Sequence, residues 1–310
     1  MSALSVVVEN LVRKYDKIVA LEGINVSVRK GELFGFIGPD GAGKTSLFRI
    51  LTTLLIPNSG YATVEGFDVV KDYKKIRDII GYMPGRFSLY QDLSVEENLN
   101  FFASIFNTTP KENYHLIKDI YQQIEPFKDR PAGKLSGGMK QKLALSCALI
   151  HKPEALFLDE PTTGVDAVSR KEFWEMLKNL QNFGISIVVS TPYMDEASLC
   201  DRVALMQNGK IMEINTPKNI QSEYPYQIAA VRTDNMYDII NHLQENKKVV
   251  SAFRFGDNIH ISYNKNELNE NEIKSFLESK GHQIIRLNKV EADIEDCFMA
   301  FMNENKHDGI

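Results

Sequence analysis

The chain has 310 residues, 43% of them apolar and 25% charged, which is enough for a sizeable core and for two domains. A net charge of −5 argues against a general nucleic-acid binder, which would carry a basic excess. Three scattered cysteines, Cys147, Cys200 and Cys297, form no C-x-x-C pair. They argue against a disulfide framework or zinc site and fit a reducing cytoplasm.

Taken in chain order, residues 3–8 and 24–28 run or alternate in β-branched residues and read as strands. Residues 32–37 read as a buried strand, and a helix opens at residue 46. A turn at Asn58-Ser59-Gly60 leads into a strand over 61–64. From about Leu93 to Leu135 the pattern is helical, with amphipathic stretches over 98–106 and 115–124. Ser94, followed three residues later by Glu97, predicts a capping box. Strands return over 155–158 and 185–190, with a helix over 168–177 between them, and Asn208-Gly209 predicts a hairpin turn. The tail, from about Gln221–Pro225 onward, reads β-α-β-β-α-β plus a closing helix over 294–302. That is the split, ferredoxin-like order. No stretch approaches the ~18 apolar residues of a membrane span, and the N-terminus lacks the apolar core of a signal peptide.

Between the strand at 32–37 and the helix at 46 lies Gly38-Pro39-Asp40-Gly41-Ala42-Gly43-Lys44-Thr45. It fits G-x-x-x-x-G-K-[ST], and strand–loop–helix is the context that makes the match credible. Glycines let successive N–H groups curl around a polyphosphate, the helix N-terminus adds positive potential, and Lys44 adds a point charge. The hydroxyl of Thr45 suits Mg²⁺, and Ser46 follows in the same turn.

Two later stretches extend this reading. Leu135-Ser136-Gly137-Gly138-Met139-Lys140-Gln141 lies upstream of Ala155-Leu156-Phe157-Leu158-Asp159-Glu160. The second is an apolar run ending in two carboxylates, as when a buried parallel strand delivers acids at its C-terminal end. With the phosphate loop ahead of them, these motifs make the chain resemble the ATP-binding cassette family up to about residue 220.

The resemblance implies an α/β P-loop NTPase cassette over residues 1–222, with a RecA-like core, an antiparallel β subdomain and a helical subdomain over about 86–140. Residues 223–310 would form a small ferredoxin-like α+β domain, as in similar bacterial exporter cassettes. ATP would be held by Gly38 to Thr45 and Ser46, with Tyr15 offering its ring to the adenine. Asp159 and Thr45 would serve Mg²⁺, which keeps several waters and takes one or two carboxylates. Glu160 would be the base that orients the attacking water. Ser136, Gly137 and Gly138 would close over nucleotide held by a second cassette, so the working unit would be a homo- or heterodimer. Asp166 resembles a segment at that interface, although an N-cap explains an aspartate there equally well. The further implied partner is a separate membrane permease of exporter type, met by a surface around 87–106. The chain would then sit on the inner face of the cytoplasmic membrane, and the permease would choose the transported substrate.

Two positions depart from the family pattern. In the segment that resembles the glutamine loop, Gly85 stands where the glutamine would be. In the switch segment, Pro192 stands where a histidine would meet the γ-phosphate. Thr191 as N-cap with Pro192 at the first helical position would account for a proline. A hydrogen bond to a charged group is worth ~1.5–3 kcal/mol, so losing the switch side chain predicts hydrolysis slowed roughly ten- to hundredfold, with binding kept. Arg86, Ser190 and Tyr193 lie beside the gaps as candidates to compensate. The competing readings are a nucleotide-gated binding subunit with little hydrolysis and a soluble, non-transport cassette ATPase. The latter would show long coiled coils, zinc-binding cysteine pairs or two cassettes in one chain, none of which is present in this sequence.

Overall fold

The computed structural model describes residues 3–85, 89–233 and 235–307. The chain divides into two compact units, one up to Pro217 and one from Lys218 onward.

The first unit opens with a long hairpin, β1 (Leu4–Tyr15) and β2 (Ile18–Arg29), then enters its central sheet with β3 (Leu33–Ile37). Helix α1 (Lys44–Leu51) follows the phosphate loop, and β4 (Ser59–Val64) and β5 (Phe67–Asp68) return to the hairpin, giving an antiparallel sheet in the order β2-β1-β4-β5. Helix α2 (Tyr73–Ile79) leads to β6 (Ile80–Met83). The helical block comes next: α3 (Val95–Ile105), α4 (Tyr114–Tyr121) and α5 (Gly137–Leu149). The chain then completes the central sheet with β7 (Ala155–Asp159), α6 (Ala167–Gln181), β8 (Ser186–Thr191), β9 (Arg202–Gln207) and β10 (Lys210–Asn215). Its order is β10-β9-β3-β8-β7-β6, parallel except for β10.

Every residue of β3, β7 and β8 is buried, which is why these strands read as near-continuous apolar runs. The ring of Phe48 on α1 packs edge-on against Phe36 of β3 at 5.9 Å and Phe157 of β7 at 6.1 Å. These contacts hold α1 against β3 and the acid-bearing β7. Helices α3 and α4 both pack on α5, which is buried on most sides. Burial there pushes the Cys147 thiol up, as expected of a small buried residue rather than a reactive one.

Local signals translate into local geometry. The capping box forms: Glu97 N donates to Ser94 Oγ at 3.1 Å, and Ser94 N donates to Glu97 Oε2 at 2.7 Å. Asn208 and Gly209, at φ 49° and 76°, make the tight turn of the β9–β10 hairpin. The expected strands over 3–8 and 24–28 are only parts of β1 and β2, because backbone pairing carries the hairpin on to Tyr15 and Ile18 without apolar alternation.

The second unit begins within α7 (Pro217–Ser222) and contains β11 (Gln227–Thr233), α8 (Met236–Glu245), β12 (Val249–Phe255), β13 (Asn258–Tyr263), α9 (Glu270–Ser279), β14 (Ile284–Val290) and α10 (Ile294–His307). Its sheet runs β12-β13-β11-β14, antiparallel throughout, in the ferredoxin-like order. The division falls slightly before the expected break at 221–225. One tie of α7 to this unit is the Cys297 thiol, which donates to the Ile220 carbonyl at 3.6 Å. Ala229, Val231, Ile239, Leu243, Ile261 and Leu277 belong to a core cluster separate from that of the first unit. A chain ending at Pro217 is therefore expected to stay soluble and to bind ATP as the full chain does. Calorimetric titration of that shortened chain checks it, and insolubility would show the tail to be integral to the first unit.

Candidate functional site

The phosphate loop joins β3 to α1 at the floor of a cleft of about 550 Å³, lined by Ile18, Val19, residues 40–46, Glu160 and Asn208. Gly43 has φ 102°, and a Cβ there would lie 2.4 Å from the Ala20 carbonyl oxygen, so only glycine fits where the loop passes the hairpin. Lys44 is 3% exposed. Its Nζ donates to the carbonyls of Gly38 at 2.7 Å and Pro39 at 3.0 Å, and lies 3.3 Å from Glu160 Oε1. The loop thus wraps its own lysine and presents that charge to a carboxylate.

The acids stand at the end of β7. Asp159 is 2% exposed and accepts from Thr45 Oγ1 at 3.3 Å and from Ser190 Oγ at 2.6 Å. Glu160 has φ 51°, a left-handed conformation that costs a non-glycine residue about 1–3 kcal/mol. Its N–H donates to both Oγ and O of Ser190, each at 3.0 Å. Ser190 therefore ties the two carboxylate-bearing residues to β8, and no motif in the sequence marked it beyond its place beside the switch segment. The converging hydroxyl of Thr45 and carboxylate of Asp159 are the hard oxygen donors that suit Mg²⁺.

The departures from the family pattern have distinct local consequences. A Cβ on Gly85 would lie 3.1 Å from the Asp159 carbonyl oxygen and 4.0 Å from Glu160 Cβ. The glycine lets this loop press against the acid strand, where any side chain would have to push it back. The expected N-cap arrangement at Thr191-Pro192 needs correcting. The turn that follows is a 3₁₀ segment, Met194–Leu199, capped at Tyr193. Thr191 Oγ1 does accept from Tyr193 N at 3.1 Å and donates to the buried Glu196 Oε2 at 2.5 Å, but Tyr193 is extended, at φ −86° and ψ 115°, so the helical turn cannot start before Met194. Of the residues beside the gaps, Ser190 touches the acids, whereas the Tyr193 ring packs under the Arg170 guanidinium at 4.5 Å. Arg86 lies outside the described residues, as does Phe87 of the expected coupling surface.

Tyr15 ends β1, directly across the hairpin from Ile18, and is 37% exposed. Its hydroxyl oxygen is 3.4 Å from Ser46 Oγ in the first turn of α1, so the structure brings this ring to the rim of the phosphate-loop cleft. Ser136, Gly137 and Gly138 do not line that cleft. Ser136 caps α5, accepting from Met139 N at 3.4 Å, and Ser136 and Gly137 are exposed. A Cβ on Gly138 would meet Ser169 Oγ at 2.8 Å, so the glycine lets α5 approach α6 closely. Asp166 caps α6: its Oδ1 accepts from Ser169 N at 3.0 Å and Val168 N at 3.1 Å. The Ser169 N–H and hydroxyl, with the Val168 N–H, hold this carboxyl below its ordinary range.

A second depression, of about 320 Å³, is lined by Leu54, Tyr82, Leu89, Phe102, Phe106 and His151 among others, between β6 and the helical block. His151 stacks on Phe106 with ring centroids 3.7 Å apart.

A family model described as ABC transporter matches residues 21–163. The chain is 38% identical over 217 residues to the probable multidrug ABC transporter ATP-binding protein YbhF of Escherichia coli. That match covers 69% of this chain and 38% of YbhF, so the chain spans well under half of that relative. The linearmycin resistance ATP-binding protein LnrL of Bacillus subtilis is 35% identical over 218 residues, covering 69% of this chain and 70% of LnrL. Among solved structures, CbiO1 of Clostridium perfringens, part of the ABC transporter complex CbiONQ, superposes with a TM-score of 0.64 at 30% identity. It covers 72% of this chain and 92% of its own.

Proposed function

Since the chain belongs to the ATP-binding cassette family of ABC transporters, we propose that it binds and hydrolyses ATP to power export through a separate membrane permease, with a slow site of its own. The observation that carries this reading is the convergence of Lys44, Thr45 and Glu160 on one cleft at the ends of β3 and β7, with the buried Asp159 carboxylate 3.3 Å from the Thr45 hydroxyl. Lys44 and the loop N–H groups bind the phosphates, and Tyr15 receives the base. Thr45 and Asp159 hold Mg²⁺, which when bound neutralises phosphate charge. Glu160 orients the attacking water. Nothing at Gly85 or Pro192 can supply a side-chain donor, so binding is kept and turnover is slowed.

The exposed Ser136–Gly137 tip at the start of α5 suits the closing of a second cassette over its nucleotide. The apolar depression beside Phe102 and Phe106 suits a segment of the permease. Among the described residues, no helix is long and apolar enough to cross a membrane, which fits a subunit held at the inner face of the cytoplasmic membrane by that permease.

Gly85 and Pro192 favour one refinement, a dimer with unequal sites. This chain then offers a complete signature to a partner cassette while keeping its own nucleotide bound. In the membrane complex, Ser136→Arg is expected to stop ATP turnover, whereas Glu160→Gln costs little. Turnover assays on the two complexes decide between the arrangements. Equal silencing by both changes would show the Lys44 site to be a working catalytic site, as in a homodimer with two equal sites. Full turnover in both would remove this chain from the catalytic cycle.

A further inference from the structure

Arg13 and Tyr15 are two residues apart on β1, so their side chains leave the same face of the strand. The Arg13 guanidinium lies 4.6 Å from the centroid of the Tyr15 ring. It is itself anchored, since Nη1 donates to the Ile56 carbonyl at 2.9 Å in the loop between α1 and β4. The same loop holds the strand end, where Lys14 N donates to Asn58 Oδ1 at 2.8 Å. At the far end of the ring, the phenol oxygen sits beside Ser46 Oγ at 3.4 Å. A tyrosine at a hairpin tip would ordinarily be free to turn. This one is held by its own strand, by the loop after α1, and by the first turn of α1.

We infer that Arg13 is a positioning residue for the nucleotide base: it covers one face of the Tyr15 ring and leaves the other for a base, giving an Arg–Tyr–base stack. The inference rests on Tyr15 being the residue that receives the base, as proposed above. Rotamer freedom that the tyrosine would lose on binding is already lost on folding, which strengthens binding without any new contact to the ligand. The opposite side of the hairpin contributes Ile18, which is 70% exposed and lines the cleft, as an apolar edge for the same base. Recognition by stacking reads π-surface and not a hydrogen-bonding edge. Purine triphosphates are therefore preferred over pyrimidine ones, with little discrimination between adenine and guanine. Arg13 is not among the residues that line the phosphate cleft; its guanidinium lies against the ring with Nη1 on the Ile56 carbonyl.

The test titrates ATP, CTP and inorganic tripolyphosphate into the full chain and into Arg13→Ala, Arg13→Met and Tyr15→Ala variants. Methionine keeps the packing of the arginine stem without the planar cation. Tyr15→Ala is expected to weaken ATP binding about tenfold or more, and both Arg13 variants about three- to tenfold. Tripolyphosphate, which has no base, should bind all four proteins alike, and the preference for ATP over CTP should shrink in the Arg13 variants. If Tyr15→Ala loses ATP affinity while the Arg13 variants do not, the ring needs no support and the inference falls alone. Equal loss of ATP and tripolyphosphate in the Arg13 variants would show general charge or fold damage and overturn it too. Unchanged ATP affinity in Tyr15→Ala would remove both the inference and the base site beneath it.

Discussion

Glu160→Gln is expected to lower single-turnover hydrolysis by the isolated chain about 10²–10⁴-fold while tightening ATP binding. The two effects have one origin. Glu160 Oε1 faces Lys44 Nζ at 3.3 Å, so the lysine shares its charge with a carboxylate that would also repel the incoming phosphates. The amide has almost the same shape but no negative charge and no basic oxygen. Water loses the group that orients it, and the phosphates gain the full charge of Lys44. The left-handed backbone at Glu160 tolerates the change, because the Ser190 contacts that hold it are made through its N–H. Parallel measurements of hydrolysis and of ATP affinity check both halves. Full turnover in the variant would assign the base to another residue, and weakened ATP binding would contradict the charge argument.

Lys44→Ala is expected to reduce ATP affinity about thirtyfold to several thousandfold, the range for truncating one partner of a buried, hydrogen-bonded charge pair at about 2–5 kcal/mol. The loop suffers as well as the ligand. The buried carbonyl of Gly38 loses a donor that reaches it at 2.7 Å, and a buried acceptor left unpaired costs about 1–3 kcal/mol, whereas the Pro39 carbonyl still accepts from Ala42 N at 3.2 Å. Glu160 is left facing the cleft without its counter-charge. Calorimetric titration with ATP and Mg²⁺ gives the affinity, and thermal unfolding without nucleotide gives the cost to the loop. ATP affinity equal to that of the unaltered chain would place the nucleotide elsewhere.

Much of the site was legible from residue order alone, because the features involved are made by neighbours in the chain. A loop that turns through φ 102° needs glycine at Gly43, and a lysine that follows at once can reach its ammonium back to Gly38. A strand buried on both faces has little room for a charge in its middle, so the acids of β7 and the residue after it stand at its end, as Asp159 and Glu160 do. The capping pair Ser94–Glu97 and the turn Asn208–Gly209 belong to the same class, since each is decided within four residues. Even the tail's strand order follows from its β-α-β-β-α-β sequence, because short connections leave few ways to pair four strands.

Packing decided what those neighbours do next. Thr45 meets Asp159 across 114 residues, and Ser190 meets it across 31, distances over which no local preference acts. Pro192 suits the first position of a helix, yet the extended backbone of Tyr193 postpones the turn to Met194. Gly85 reads in sequence only as a missing glutamine, whereas folding sets its backbone against the Asp159 carbonyl. Arg13 carries no signal in sequence, because a charged residue near a strand end acquires a role only when folding sets an aromatic ring against it. Conformation that depends on a few consecutive torsions is written in the order of residues, whereas pairing between distant side chains is settled by which surfaces the core brings within hydrogen-bonding reach.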